Sequence, residues 1–158
     1  MSKYYSGKYK IKNREKYRGD PDNIVYRSSW ELKCFIWLDN NSNVIEFSSE
    51  EIVVPYKSPV DGKWHRYFVD VFMKIKTSDG SIKTFLVEIK PHNQTMEPQK
   101  GKRITKRYVN EVATWAVNQS KWKYAIEFCK DRKWEFVVMS STDGNSFKLL
   151  TENDLKLT

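Results

Sequence analysis

Acidic residues are the scarcer charge in this chain. Twenty Asp and Glu stand against 28 Lys and Arg, a formal net charge of +8. That balance disfavours a cationic partner and favours a polyanion, most simply nucleic acid. An anionic membrane surface fits less well, because no long basic amphipathic helix stands out. Cysteine is nearly absent. Cys34 and Cys129 lie in apolar, helix-like stretches, and there is no CxxC or Cys/His cluster. This excludes a disulfide scaffold and a zinc ribbon, and leaves two reduced core residues in a reducing compartment. No apolar run approaches the length of a membrane span. The stretch MSKYYSGKYKIKNREKYRGD carries no apolar segment of secretory type, so a soluble, intracellular chain is expected. No internal repeat or low-complexity segment occurs.

What is present is core-forming material. Hydrophobic residues make up 39% of 158 positions, with six Trp, nine Tyr and eight Phe. That suits one folded domain and argues against disorder. Residues 1–24 differ in character. They are basic and tyrosine-rich, and read as an arm that orders on a partner or as a solubilising tail. The domain proper is expected over residues 25–158.

YRSSWELKCFIWLDNN predicts a helix. Ser28 with Glu31 three residues on forms a capping box, and Asn40-Asn41 fits its end. Glu31, Cys34, Phe35 and Leu38 share one face. Three strands follow: Val44–Phe47 with Glu51–Tyr56 (bent in its polar middle and closed near Pro55), then Trp64–Lys76, then Ile82–Lys90. A long helix is expected from about Thr105 to Lys130, its apolar stripe carried by Val112, Trp115, Trp122, Ala125 and Cys129. Trp134–Ser140 reads as a fourth strand. Near the end, Thr151 to Asp154 suits the cap of a short helix. The order helix, three strands, helix, strand predicts an α/β fold with a mixed central sheet flanked by helices.

FLVEIKP, residues 85–91, raises the functional question. Phe85, Val87 and Ile89 alternate with Leu86, Glu88 and Lys90, so an acid and a base share one face of a mostly apolar strand. The preceding strand contains Asp70 within YFVDVFMKIK. Two hairpin registers compete. A two-residue Asp79-Gly80 loop sets Val69 against Lys90 and Val71 against Glu88. A three-residue Ser78-Asp79-Gly80 loop pairs Thr77 with Ser81, Val71 with Val87 and Met73 with Phe85. Shifting by one residue flips every side chain, so the apolar pattern selects the three-residue loop. That loop also places Gly80 where a left-handed residue is favoured. Asp70 then faces Glu88, with Cβ atoms about 5 Å apart. Like charges so placed repel unless a cation lies between them.

Two carboxylates with a main-chain carbonyl such as that of Ile89 are hard oxygen ligands suited to Mg²⁺ or Mn²⁺. Lys90 points to the same side and could orient a water or stabilise charge on a phosphate. Glu31 could reach the centre from the first helix, although its capping box needs no chemistry at all. The set suits phosphodiester hydrolysis. His65 and His92 are read as surface residues or phosphate contacts. The basic run of Lys100, Lys102, Arg103, Lys106 and Arg107 is read as contacting DNA backbone, as are Lys8, Lys10, Lys12 and Arg14 of the arm.

Asp70, a hairpin, Glu88-Ile89-Lys90 and a preceding helix with Glu31 together resemble the PD-(D/E)xK nuclease superfamily. The likeness spans most of residues 25–140. It implies a restriction-endonuclease-like αβββαβ core, with Asp70 and Glu88 as metal ligands, Lys90 for catalysis, and Glu31 as the helix acid. Val69 stands where the name-giving proline would be. YRSSWELK, FVDVFMK, FLVEIKP and NQSKW resemble the TnsA-type endonucleases and the head completion nucleases of T-even-like bacteriophages. That likeness implies a Mg²⁺- or Mn²⁺-dependent DNA endonuclease with phage head, portal or neck proteins as partners. It also implies residence in the host cytoplasm during assembly and then in the virion, with no membrane role. In this reading Asn118 and Lys121 approach the site as supporting residues. Two other readings share the fold: a DNA-binding structural head protein with a vestigial site, and a dimeric junction resolvase.

Overall fold

The structure, a computed structural model, describes residues 6–141, 147–155 and 157. A five-stranded mixed sheet forms its centre. The elements in chain order are β1 (Gly7–Lys8), β2 (Val25–Tyr26), α1 (Ser29–Asn40), β3 (Val44–Ser49), β4 (Val53–Lys57), β5 (Trp64–Phe68), β6 (Val71–Lys76), β7 (Ile82–Lys90), α2 (Lys106–Arg132), β8 (Glu135–Ser141), β9 (Phe147–Leu150) and α3 (Glu152–Leu155). Sheet order is β3-β6-β7-β8-β9. Among the described strands of this sheet, only the β7–β8 pair is parallel, and α2 makes their crossover. The expected α/β order is therefore present, with FKLL added as an edge strand.

Alternation along the strands feeds two cores, one on each face. Val71, Met73, Val87, Val137 and Met139 pack with Cys34, Phe35 and Leu38 of α1. Phe72, Leu86, Phe136 and Val138 pack with Trp122, Ala125 and Cys129 of α2. Both cysteines are free and buried. The even face of the hairpin is thus the floor of a second core, and Glu88 is set into it.

The two long strands expected before β7 are each broken. The first divides into β3 and β4, the second into β5 and β6. The breaks coincide: Glu50 N donates to the Asp70 carbonyl at 3.2 Å, and Val69 N donates to Ile52 O at 3.1 Å. Below the break β3 and β6 belong to the central sheet. Above it β4 and β5 form their own hairpin, in which Pro55 lies opposite Arg66 rather than closing the strand. Proline is tolerated there because, among the described residues, β4 has no second strand neighbour to receive an N–H bond. Glu50 takes φ = 56°, a left-handed conformation that is unusual for a non-glycine residue. The break also swaps faces. Tyr67 and Val69 join the α2 core, whereas Val71 joins the α1 core.

The structure departs from the expectation of an arm. From Ser6 onward this segment is folded onto α1. β1 pairs with β2, Ile24 is buried, and Tyr17 packs edge-on against Phe47. The Lys16 ammonium donates to the carbonyls of Leu38, Asp39 and Asn41 at 2.8–2.9 Å, capping the C-terminus of α1. The buried Asp39 carboxylate accepts from the Tyr9 hydroxyl and from the main-chain N–H groups of Lys12 and Asn13. Those bonds keep it ionised below the usual carboxylate range despite burial.

Candidate active site

The hairpin register is the one the apolar pattern selects. Thr77 pairs with Ser81, with Gly80 at φ = 87°, and the ladder runs through Met73–Phe85 to Val71–Val87. Asp70 is the next residue. Here the strand leaves the ladder, so Asp70 replaces a main-chain partner with its side chain: Oδ2 accepts from Ile89 N at 2.8 Å. A strand residue directs its N–H and C=O to the same edge. The Ile89 carbonyl therefore faces Asp70 as well.

Glu88 is 5% exposed and its two oxygens are used differently. Oε1 accepts from the Tyr67 hydroxyl at 2.5 Å. Oε2 pairs with the Lys90 ammonium at 3.1 Å. Lys121, one turn beyond Asn118 on α2, lies over the rings of Tyr56 and Tyr67, 5.7 and 5.4 Å from their centroids. Burial pulls its pKa down, and the charge of Glu88 opposes that pull.

Glu31 enters from α1 and does two things. Its Oε1 accepts from Arg27 N, while Ser28 Oγ accepts from Glu31 N, a reciprocal cap. It is also close enough for its charge to act on Asp70. Its own pKa is raised, first by burial and further by the charges of Glu50 and Glu88. Asp70 is pushed well above the usual carboxylate range, first by burial and then by the charge of Glu88. Arg27 pairs with Glu50 at the strand break and acts electrostatically on Glu31 and Asp70. The centre is therefore rich in partly desolvated acid, with Lys90 paired to Glu88 and Lys121 close by.

Glu31, Asp70, Glu88, Lys90 and Lys121 form one electrostatically coupled group, although among the described residues the acids do not close into a ready-made cluster. Asn118 is buried but lines a cleft between the 93–98 segment and the start of α2. Lys106 and Arg107 line that cleft too, and Lys100, Lys102 and Arg103 are exposed ahead of it. Lys8, Lys10, Lys12 and Arg14 are not brought to the carboxylates. Lys12 and Asn13 bind Asp39, about 12 Å along α1 from Glu31 at the helical rise. Arg14 pairs with Asp22. His65 pairs with Asp61, and His92 is exposed.

Tyr67 and Arg27 are the residues that sequence reasoning missed. Tyr67 fell on the face opposite Asp70 because the strand was read as continuous. Its one available signal was that a buried tyrosine hydroxyl must find a partner.

A mixed sheet with acids at a strand break and an adjoining lysine defines a class of endonuclease. Residues 41–141 match the TnsA-like endonuclease N-terminal family, and the chain belongs to that family. The chain is also similar to the head completion nuclease of Enterobacteria phage T4. The two are 43% identical over 156 residues, covering 96% of this chain and 94% of that protein.

Proposed function

We propose that this chain is a phage head completion nuclease, a metal-dependent endonuclease that hydrolyses DNA phosphodiester bonds. One observation carries the reading: half-buried Asp70 and buried Glu88 lie within electrostatic reach at the strand break, with Lys90 on Glu88. The donor set fits a hard divalent ion. Among the described residues no three acid, histidine or cysteine side chains converge as a ready-made cluster. Two carboxylates and the Ile89 carbonyl suit Mg²⁺ or Mn²⁺, which retain several waters.

Asp70, Glu88 and the Ile89 carbonyl would hold the ion, which supplies Lewis acidity and a more acidic bound water. Lys90 lies beside Glu88 and can hold the attacking water by hydrogen bond or offset charge on the phosphate. Glu31 supports from the α1 side. The basic stretch from Lys100 to Arg107 engages DNA backbone. The working setting is the host cytoplasm during assembly and then the virion, with head, portal or neck proteins as partners and packaged DNA cut before tail attachment.

The test is cleavage of duplex DNA with Mg²⁺ by the wild type, Asp70→Ala and Lys90→Ala. Each variant is expected to lose about 10²-fold or more in rate, the range for a positioned acid–base group. Variants that cut as fast as the wild type would sink the assignment.

A further inference from the structure

The first half of α2 overhangs the sheet. From Lys106 to Val117 no residue is buried, although burial is regular from Asn118 onward. This half faces the 93–98 segment, which follows directly from Lys90 and Pro91. The cleft between them has a volume of about 630 Å³ and includes Gln94, Lys106, Arg107, Asn110, Trp115 and Asn118 in its lining.

Its chemistry is uneven. Lys106 and Arg107 stand at the outer end, in a first turn with no acid. Cations there oppose the helix dipole, although Arg107 also pairs at 3.5 Å with Glu111 one turn on, an acid that lines the same cleft. Midway is half-buried Trp115, set at 84° to the fully buried Trp122. At the inner end is Asn118. It is 5% exposed, and its side chain makes no hydrogen bond to any described residue. Its amide is not among the fully enclosed polar groups left without a partner, so it opens onto the cleft, and an amide so placed is suited to a polar ligand. One turn on, Lys121 is within electrostatic reach of Glu88, Lys90 and Asp70. The inner end of the cleft therefore adjoins the proposed catalytic centre.

We infer that this cleft binds one unpaired nucleotide of the DNA substrate beside the bond to be cut. The inference rests on the nuclease reading. Trp115 stacks on the base, Asn118 bonds the base edge, and Lys106 with Arg107 hold the neighbouring phosphate. An amide and an aromatic ring together match a nucleobase, whereas a bare phosphate needs neither. Inside intact duplex both faces of each base are stacked on its neighbours, so a base seated on Trp115 must be unstacked, and the chain favours DNA with a frayed, gapped or single-stranded end.

The experiment is fluorescence anisotropy of the full chain in EDTA. One probe is a blunt duplex; the other is the same duplex with a short single-stranded extension carrying 2-aminopurine at its first unpaired position. The extended probe is expected to bind about tenfold or more tightly, in line with one stacked base, and its 2-aminopurine emission to be quenched. Trp115→Leu and Asn118→Ala each remove that preference and leave blunt-duplex affinity unchanged, and Asn118→Ala leaves Tm unchanged as well. Asn118→Ala deletes a side chain without a partner, so it carries the test if Trp115→Leu folds poorly. Equal affinity of the wild type for both probes overturns the inference. So does a preference that survives in Asn118→Ala. If Mg²⁺-dependent cutting persists in either case, the nuclease reading stands; a chain that neither binds nor cuts any DNA overturns both.

Discussion

Replacing Tyr67 by Phe removes one oxygen from the centre of the site. The ring is 4% exposed and packs in the α2 core, so its burial is retained. What is lost is the bond to Glu88 Oε1 at 2.5 Å. A buried bond to a charged acceptor contributes about 1.5–3 kcal/mol. Lys90 still pairs with Oε2, which limits the loss to the orientation and solvation of one oxygen. Tyr67→Phe is therefore expected to lower the unfolding free energy by about 2 kcal/mol near neutral pH. For a chain of this size that is a Tm drop of about 4–8 °C. Urea unfolding followed by the six tryptophans measures it. In a Glu88→Gln background the cost of the same change is expected to fall below about 1 kcal/mol, since a neutral acceptor gains less. A second readout is Mn²⁺ affinity, expected to weaken about 10- to 100-fold when the support of a ligand carboxylate is lost. A Tyr67→Phe variant within about 0.5 kcal/mol of wild type, or an equal cost in both backgrounds, refutes the assigned role of this hydroxyl.

Three further changes separate roles that the structure superimposes. Glu31→Gln keeps a side chain able to cap α1 and removes the charge; stability is expected within about 0.5 kcal/mol of wild type while DNA cleavage falls at least about tenfold, and unchanged cleavage reduces Glu31 to a cap. Asp70 is raised by burial and by Glu88, so the folded state keeps a proton that the unfolded chain releases. Stability thus falls as pH climbs from the unfolded carboxylate range through the folded pKa, and Asp70→Asn is expected to be the more stable protein at neutral pH, by on the order of 1–2 kcal/mol. Thermal melts across pH check this, and a variant less stable at every pH contradicts it. Lys16→Met removes the cation from three carbonyls at the end of α1 and is expected to cost about 1–2 kcal/mol; a Tm equal to wild type would return residues 6–24 to the status of a loose arm.

Much of the site was legible before any coordinates. Val71, Met73 and Ile75 against Phe85 and Val87 allow a single register, because a one-residue slip turns each apolar side chain outward. That register predicts Asp70 opposite Glu88, and Lys90 follows from the period of two; in the structure Asp70 leaves the ladder at that point and bonds Ile89 N, within electrostatic reach of Glu88. Ser28 and Glu31 fixed the start of α1 through local hydrogen bonds that need no tertiary partner. The arm was misread for the opposite reason. Its lysines look solvated in one dimension, yet Lys16 and Tyr9 have partners on α1 more than twenty residues away.

Local pattern, then, determined the strands, the hairpin register and the residues proposed to carry the chemistry, since alternation and capping act between near neighbours. Tertiary structure decided the break at Glu50 and Asp70. Two strands bend there together, and each supplies the hydrogen bonds that the other loses. No single stretch of sequence contains that exchange. It moves Tyr67 onto the face of Glu88 and frees Asp70 from the ladder, so that its carboxylate bonds Ile89 instead.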